Sequence, residues 1–273
     1  MKRRITAVVL HVGLLGAAAV TIFPFVWMLL SAFKSNAEIK ALHQTLLPKQ
    51  WTFENFLKVQ DNFDFLRLFG NSVLLSTVIT AIVIYTSCLA GFVLAKYEFR
   101  GRGLLFGFVL ATMMVPWAVT IIPRYTMFSA AGLQGTWASL IIPAAFSGFG
   151  IFLMRQSMDG VSDSLLEAAR IDGASEIHIF HRIVLPMSTN AISALAIFQF
   201  LWVWEDYLWP YLMINSDELQ VLAVGLTTFS GRYTTDHGGL FAATTISILP
   251  VVAVYVIFQR RFIAGAASAA VKG

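Results

Sequence analysis

Six stretches of the chain exceed twenty residues without a single Asp, Glu, Lys or Arg: Ile5 to Phe33 (29 residues), Leu68 to Ala95 (28), Gly103 to Pro123 (21), Tyr125 to Met154 (30), Ile183 to Trp204 (22) and His237 to Gln259 (23). About 20 apolar residues suffice to cross the roughly 30 Å hydrocarbon layer of a bilayer, so these windows predict six transmembrane helices. The next candidate, Leu219 to Gly231, has 13 residues and is too short. In the fourth window the turn-like Ala131-Gly132-Leu133-Gln134-Gly135 moves the expected helix start to near Trp137. The first window follows Lys2-Arg3-Arg4 but is longer than the apolar core of a cleaved signal, so it is expected to remain as an anchor. Composition agrees: 58% of the 273 residues are apolar and 12% are charged, against about 25% charged in soluble domains. An ordinary cytosolic enzyme and a disordered chain are excluded, and the single Cys88 can form no internal disulfide.

The predicted fold class is all-α, a polytopic membrane protein forming one domain over 1–273, with spans near 5–33, 70–95, 104–123, 137–156, 186–209 and 239–259. Counting Lys and Arg on alternate sides gives twelve on one side (Lys2, Arg3, Arg4, Lys96, Arg100, Arg102, Arg155, Arg170, Arg182, Arg260, Arg261, Lys272) and seven on the other (Lys34, Lys40, Lys49, Lys58, Arg67, Arg124, Arg232). By the positive-inside rule both termini are expected in the cytoplasm. The net charge of +4 is explained by this bias and does not call for nucleic acid.

Two connections are long enough to carry function, an extracytoplasmic loop (34–69) and a cytoplasmic loop (157–186). The outer one holds Trp51, Phe53, Phe56, Phe63 and Phe65, suited to a membrane surface or a partner. The inner one reads as two short helices bent about a glycine. Ser164-Leu165-Leu166-Glu167 has the form of a capping box starting the first helix, and Gly173 supplies the left-handed residue that ends it. Ser175 caps the second, expected to close at Pro186. Ala168 and Ala169 leave one surface low for another protein, with Leu165, Leu166 and Ile171 available for burial. An amphipathic loop resting on its own bundle fits the same pattern.

Glu167-Ala168-Ala169-Arg170-Ile171-Asp172-Gly173-Ala174, followed by Phe180, Ile183, Leu185 and Pro186, resembles the EAA loop of permease subunits of bacterial ABC importers, and Asp172-Gly173-Ala174 resembles the carbohydrate branch. Further similarity lies in Trp51 to Phe56, Asn71-Ser72, Pro116 and Pro123, Trp204 to Pro210, Gln259 to Phe262 and the tail Gly265 to Gly273, which is similar to that of maltose-type permease subunits. The resemblance implies a type I importer permease fold in the bacterial inner membrane, not itself an enzyme, carrying sugar, with an oligosaccharide the first expectation and glycerol-phosphate or an amino sugar the alternatives. It also implies a second homologous permease subunit, two ATPase subunits holding ATP and Mg, and an extracytoplasmic sugar-binding protein. On the same ground Leu165, Glu167, Ala168, Ala169, Asp172, Gly173, Ala174, Phe180 and Pro186 are expected to couple to the ATPase, and the tail to reach the ATPase pair. The sequence holds no G-x-x-x-x-G-K-[ST], so this chain is expected to bind no cofactor of its own. It departs from the family at Trp204-Glu205-Asp206, where Trp-Asn-Asp/Glu is common.

Ionisable groups inside a span are costly and mark function. Glu205 and Asp206, with Trp202 and Trp209 nearby, offer the carboxylates and flat faces of a sugar-binding pathway, though an aromatic belt at the outer interface fits them too. A membrane-embedded enzyme using Glu205, Asp206 and Ser147 is the rival class, but it leaves the loop unexplained; Ser147 fits helix packing better. His178 and His181 lack the companions of a metal site, and none is expected.

Overall fold

The computed structural model describes residues 2–62, 64–229 and 235–271, with side chains of 2–5, 7, 61, 62 and 264–271 outside that description. Among the described residues every regular element is a helix: α1 (Lys2–Ser31), α2 (Asn36–Ile39), α3 (Glu54–Asn62), α4 (Phe65–Lys96), α5 (Arg102–Met114), α6 (Trp117–Ala130), α7 (Ala138–Ala144), α8 (Gly148–Asp159), α9 (Asp163–Ile171), α10 (Glu176–Ile179), a π-helical turn (Phe180–Val184), α11 (Leu185–Met187), α12 (Thr189–Glu205), α13 (Leu208–Met213), α14 (Leu222–Gly225), a 3-10 turn (Leu226–Phe229) and α15 (His237–Val271). Among the described residues four helical segments are long and apolar enough to span a bilayer, Val8–Ser31, Phe65–Lys96, Ala138–Asp159 and His237–Ile263, and six if each of two bent pairs counts as one span. Arg232 and the side chains of the tail from Gly265 lie outside the described residues.

The bends have local causes. α5 and α6 meet at 100°, where Val115 is extended and Pro116 stands just before α6; Pro restricts the residue before it to extended backbone. The segment Glu176–Met187 bends 77° from α12. Pro186 does not close that segment, which continues to Met187. Instead the helix widens just before the proline, Leu185 N–H reaching back to the Phe180 carbonyl, because the proline ring must clear the preceding turn.

The chain forms two compact units. The first comprises 1–66 and 225–249. Within it the connection after α1 folds on its own unit: Phe33 packs against Trp51, Phe53 and Phe56 at ring-centroid distances of 5.5, 5.4 and 5.0 Å. Buried Asn55 donates to the carbonyls of Ala32 (2.8 Å) and Lys34 (2.7 Å), which follow the last turn of α1. Asp236 Oδ1 accepts from Asn36 Nδ2 (2.7 Å) and Gly239 N (3.0 Å), tying the loop to the start of α15.

The second unit comprises 67–224 and 250–273. Its core runs along α4, with Cys88 and Phe92 packed among Met154 and Met158 of α8, Leu166 of α9, and Ile179, Phe180 and Val184. Gly91 makes the α4–α8 approach possible, since a Cβ there would lie 2.8 Å from the Cβ of Met154. Proline-freed carbonyls find partners from afar. Pro143 cannot donate to Ser139 O, and the Trp209 indole does so instead at 2.9 Å. At the other end of α4, Asn71 donates to the carbonyls of Glu218 (2.8 Å) and Gln220 (2.9 Å), and Ser72 Oγ accepts from Leu222 N (2.8 Å).

Candidate functional site

The loop at 157–186 is two helices joined by a glycine hinge, as its sequence suggests, but it begins differently. α9 starts at Asp163, and Ser162 occupies the cap position without a side-chain hydrogen bond to the helix. Ser164 and Glu167 therefore lie inside the helix and form no capping box; Ser164 Oγ instead pairs with Ser162 Oγ at 2.7 Å. The start is displaced because Asp163 sits in the first turn, where a carboxylate suits the helix dipole, and Lys96 Nζ holds it at 2.7 Å. The far end follows expectation. Gly173 has φ +82°, with Gly173 N bonded to Arg170 O (3.0 Å) and Ala174 N to Ala169 O (2.9 Å). These two bonds define a Schellman motif, and Ala169 and Ala174, which flank it, both pack against the core. The run Ala169 to Ala174 thus contains a helix terminator built on the carbonyls of Ala169 and Arg170 and the N–H groups of Gly173 and Ala174. Ser175 then caps α10 by accepting from His178 N at 3.3 Å.

Arg170 closes the bend from the side, its Nε 2.7 Å from Glu176 Oε1. That contact and the Tyr97 hydroxyl hold the Glu176 carboxyl below the usual carboxylate range. Of the residues expected at the loop's outer face, Leu165, Glu167, Ala168, Asp172, Gly173 and Pro186 are exposed, and Ala169 and Ala174 are half-buried. Leu166 turns inward and is buried, whereas Ile171 is 86% and Ile177 73% exposed. Ala169, Asp172, Gly173, Ala174, Ser175, His178 and Ile183 line a groove of about 590 Å³. Phe180 is 3% exposed and belongs to the core, so it anchors the loop from behind.

The second cluster forms where two broken spans meet. α12 ends at Glu205, and the chain is extended at Asp206 before α13. Asp206 Oδ1 accepts from Trp209 N at 3.3 Å, and the Arg124 guanidinium lies 5.3 Å from the Trp209 ring centroid. Trp117, Ile121, Arg124, Trp202, Glu205, Asp206 and Trp209 enclose a cavity of about 390 Å³. A smaller one of about 90 Å³ shares Arg124, Asp206 and Trp209, and reaches Ser72 and Ser76 of α4. Ser76 Oγ is buried there without a hydrogen-bond partner in the protein. Irregular backbone within a broken span is tolerated where it is buried in protein or lines a cavity, and the break at Asp206 lines both cavities. Ser147, by contrast, is a helix cap: its Oγ accepts from Gly150 N at 3.1 Å.

The family model described as "Binding-protein-dependent transport system inner membrane component" matches residues 87–267. The chain belongs to this family. It is 33% identical to the arabinooligosaccharides transport system permease protein AraQ of Halalkalibacterium halodurans over 100% of both chains. It is also 33% identical to the diacetylchitobiose uptake system permease protein NgcG of Streptomyces coelicolor, over 96% of this chain and 87% of that one. Its fold matches a chain in the crystal structure of a bacterial ABC transporter that imports the acidic polysaccharide alginate, with TM-score 0.82 and 23% identity, covering 96% and 98% of the two chains.

Membership places the chain in the inner membrane as a permease subunit of a transport system and removes the embedded-enzyme alternative. The family match begins at Ser87, within α4, and takes in both clusters. Arg124 and Trp117, absent from the sequence expectations, enter the second cluster beside Trp202, Glu205, Asp206 and Trp209. A signal for Arg124 existed: it is the lone charge between the charge-free windows Gly103 to Pro123 and Tyr125 to Met154. Among the described residues no group of three His, Cys, Asp or Glu is arranged to hold a metal ion.

Proposed function

We propose that this permease subunit forms half of the translocation pathway of an oligosaccharide importer and couples it to ATP hydrolysis through the loop at 157–186. A second homologous permease subunit completes the pathway, two ATPase subunits carry ATP and Mg, and an extracytoplasmic binding protein delivers the sugar. Both termini and the loop lie in the cytoplasm, in keeping with the twelve-to-seven distribution of Lys and Arg. The observation that carries the coupling role is the hinge at Gly173: two helices set at a defined angle by a Schellman motif, with Ile171 and Ile177 exposed on either side of it. Solvent-exposed isoleucines flanking a rigid bend are what a docking element requires.

A saccharide substrate is supported by the names of the relatives and by the chemistry of the larger cavity. Three tryptophans with Glu205 and Asp206 offer flat apolar faces and hydroxyl acceptors. Its one cation, Arg124, is shared with two acidic side chains, so a phosphate dianion finds no surplus of positive charge there, whereas an uncharged sugar needs none. Glycerol-phosphate is disfavoured on this ground. The test is reconstitution of the complete importer and assay of ATP hydrolysis against arabinooligosaccharides, diacetylchitobiose and glycerol-phosphate, each with loaded binding protein. Stimulation by a sugar that is lost in Gly173→Val supports both parts. Stimulation by glycerol-phosphate alone would overturn the saccharide assignment.

A further inference from the structure

Lys96 and Tyr97, neighbours at the cytoplasmic end of α4, take hold of opposite ends of the coupling segment. The Lys96 ammonium donates to Val161 O (2.5 Å), Asp163 Oδ1 (2.7 Å) and Asp159 O (3.4 Å). It thereby joins the last turn of α8 to the first turn of α9. Its side chain is 3% exposed, and a buried cation is retained only where its donors are satisfied; packing alone would be served as well by an apolar chain. The Tyr97 hydroxyl donates to Glu176 Oε2 beyond the hinge, on the carboxylate that Arg170 grips from before it. The Tyr97 ring stands edge-on to Phe92 at 5.5 Å, and Phe92 packs against Phe180 at 5.3 Å. The core therefore sets where the hydroxyl lies, and the loop must come to it.

We propose that Lys96 and Tyr97 are positioning residues that lock the coupling segment to α4, making this one helix the strut between the loop and the cavity wall; the proposal rests on the coupling role assigned above. The 24 residue steps from Ser72 to Lys96 span about 36 Å at 1.5 Å per residue. At the far end Ser72 and Ser76 line the smaller cavity, and Asn71 and Ser72 grip residues 218–222. A displacement imposed on the docked loop is thus delivered to the wall beside Asp206 by a rigid element, which is the physical condition for coupling between distant sites. No other side chain among the described residues bonds both the end of α8 and the start of α9.

Two measurements test this. Spin labels at Arg100→Cys and Asp172→Cys in the full permease, in Cys88→Ala background and lipid nanodiscs, report the distance from the end of α4 to the loop. Tyr97→Phe keeps the ring on Phe92 and removes only the hydroxyl, while Asp163→Asn weakens the Lys96 end at an exposed site; Lys96→Met removes that end. The expected result is a broadened distance distribution in each variant, and in the unlabelled complex a loss of about three- to tenfold in binding-protein-stimulated hydrolysis per assembled ATPase, as for loss of a partly screened charged hydrogen bond. An unchanged distribution in Tyr97→Phe/Asp163→Asn overturns the clamp. A broadened distribution with wild-type stimulation overturns its role in coupling. If Gly173→Val also leaves stimulation intact, the coupling role of the loop itself fails; if Gly173→Val abolishes it, only the clamp does.

Discussion

Gly173→Val isolates the hinge. At φ +82° a residue with a Cβ occupies the left-handed region, at a cost of about 1 to 2 kcal/mol for an L-residue. A Cβ built at this position meets nothing within 4 Å, so no steric clash with neighbours adds to that cost and it is purely conformational. The backbone relieves it by leaving the left-handed region, which swings the chain after residue 173, breaks the bond from Ala174 N to Ala169 O and parts Arg170 from Glu176. At about 1.4 kcal/mol per factor of ten, the bent form loses about 5- to 30-fold in population against straightened alternatives. Hydrolysis stimulated by loaded binding protein, measured on the reconstituted complex, should fall by a similar factor, while insertion survives because the site is outside lipid. Gly173→Asn, which tolerates the left-handed region, should retain most activity and Gly173→Ala should fall between. Equal stimulation in Gly, Asn, Ala and Val forms would refute the claim that the bend at this glycine carries the signal.

Four further outcomes are expected. Glu167→Ala, at an exposed position that closes no capping box, should change thermal stability by less than about 0.5 kcal/mol; any loss should appear in co-purification of the ATPase. A cysteine at Lys58 should react with an impermeant thiol reagent added outside cells and one at Ser175 should not, with buried Cys88 silent in both; reversed labelling would invert the topology. Asp206→Asn with Glu205→Gln should alter sugar-stimulated hydrolysis while assembly persists, and normal uptake in this pair would remove both from the pathway. Because Arg170 first and Tyr97 second hold the Glu176 carboxyl below its ordinary value, its contribution to loop order should be complete above the unfolded carboxylate pKa and disappear as pH falls through the lower folded value. Hydrogen exchange across 170–179 should accelerate on that acid limb, and Glu176→Gln should flatten the response there, leaving the start of α9, where Asp163 pairs with Lys96, to respond to acid on its own.

Signals that act within a turn or two of the backbone were legible in the linear chain. The six charge-free windows determine the apolar segments, since transfer of a helix into lipid sums over its own residues. Gly173 ends α9 and Ser175 caps α10 because each acts on backbone no more than a few residues away. Apart from the widened turn before Pro186, which is local, the failures involve partners distant in sequence. The start of α9 moved from the apparent capping box to Asp163, whose carboxylate meets Lys96, 67 residues earlier. Phe180 looked like a docking residue and is a core anchor, because the aromatic rings of α4 converge on it. Arg124 and Asp206 stand 82 positions apart and share two cavities only because the breaks before Trp117 and after Glu205 lie side by side. Periodicity and capping specify where helices run and stop; which polar side chain satisfies a freed carbonyl or faces a shared cavity is decided by packing, and packing leaves no mark at fixed spacing in a sequence.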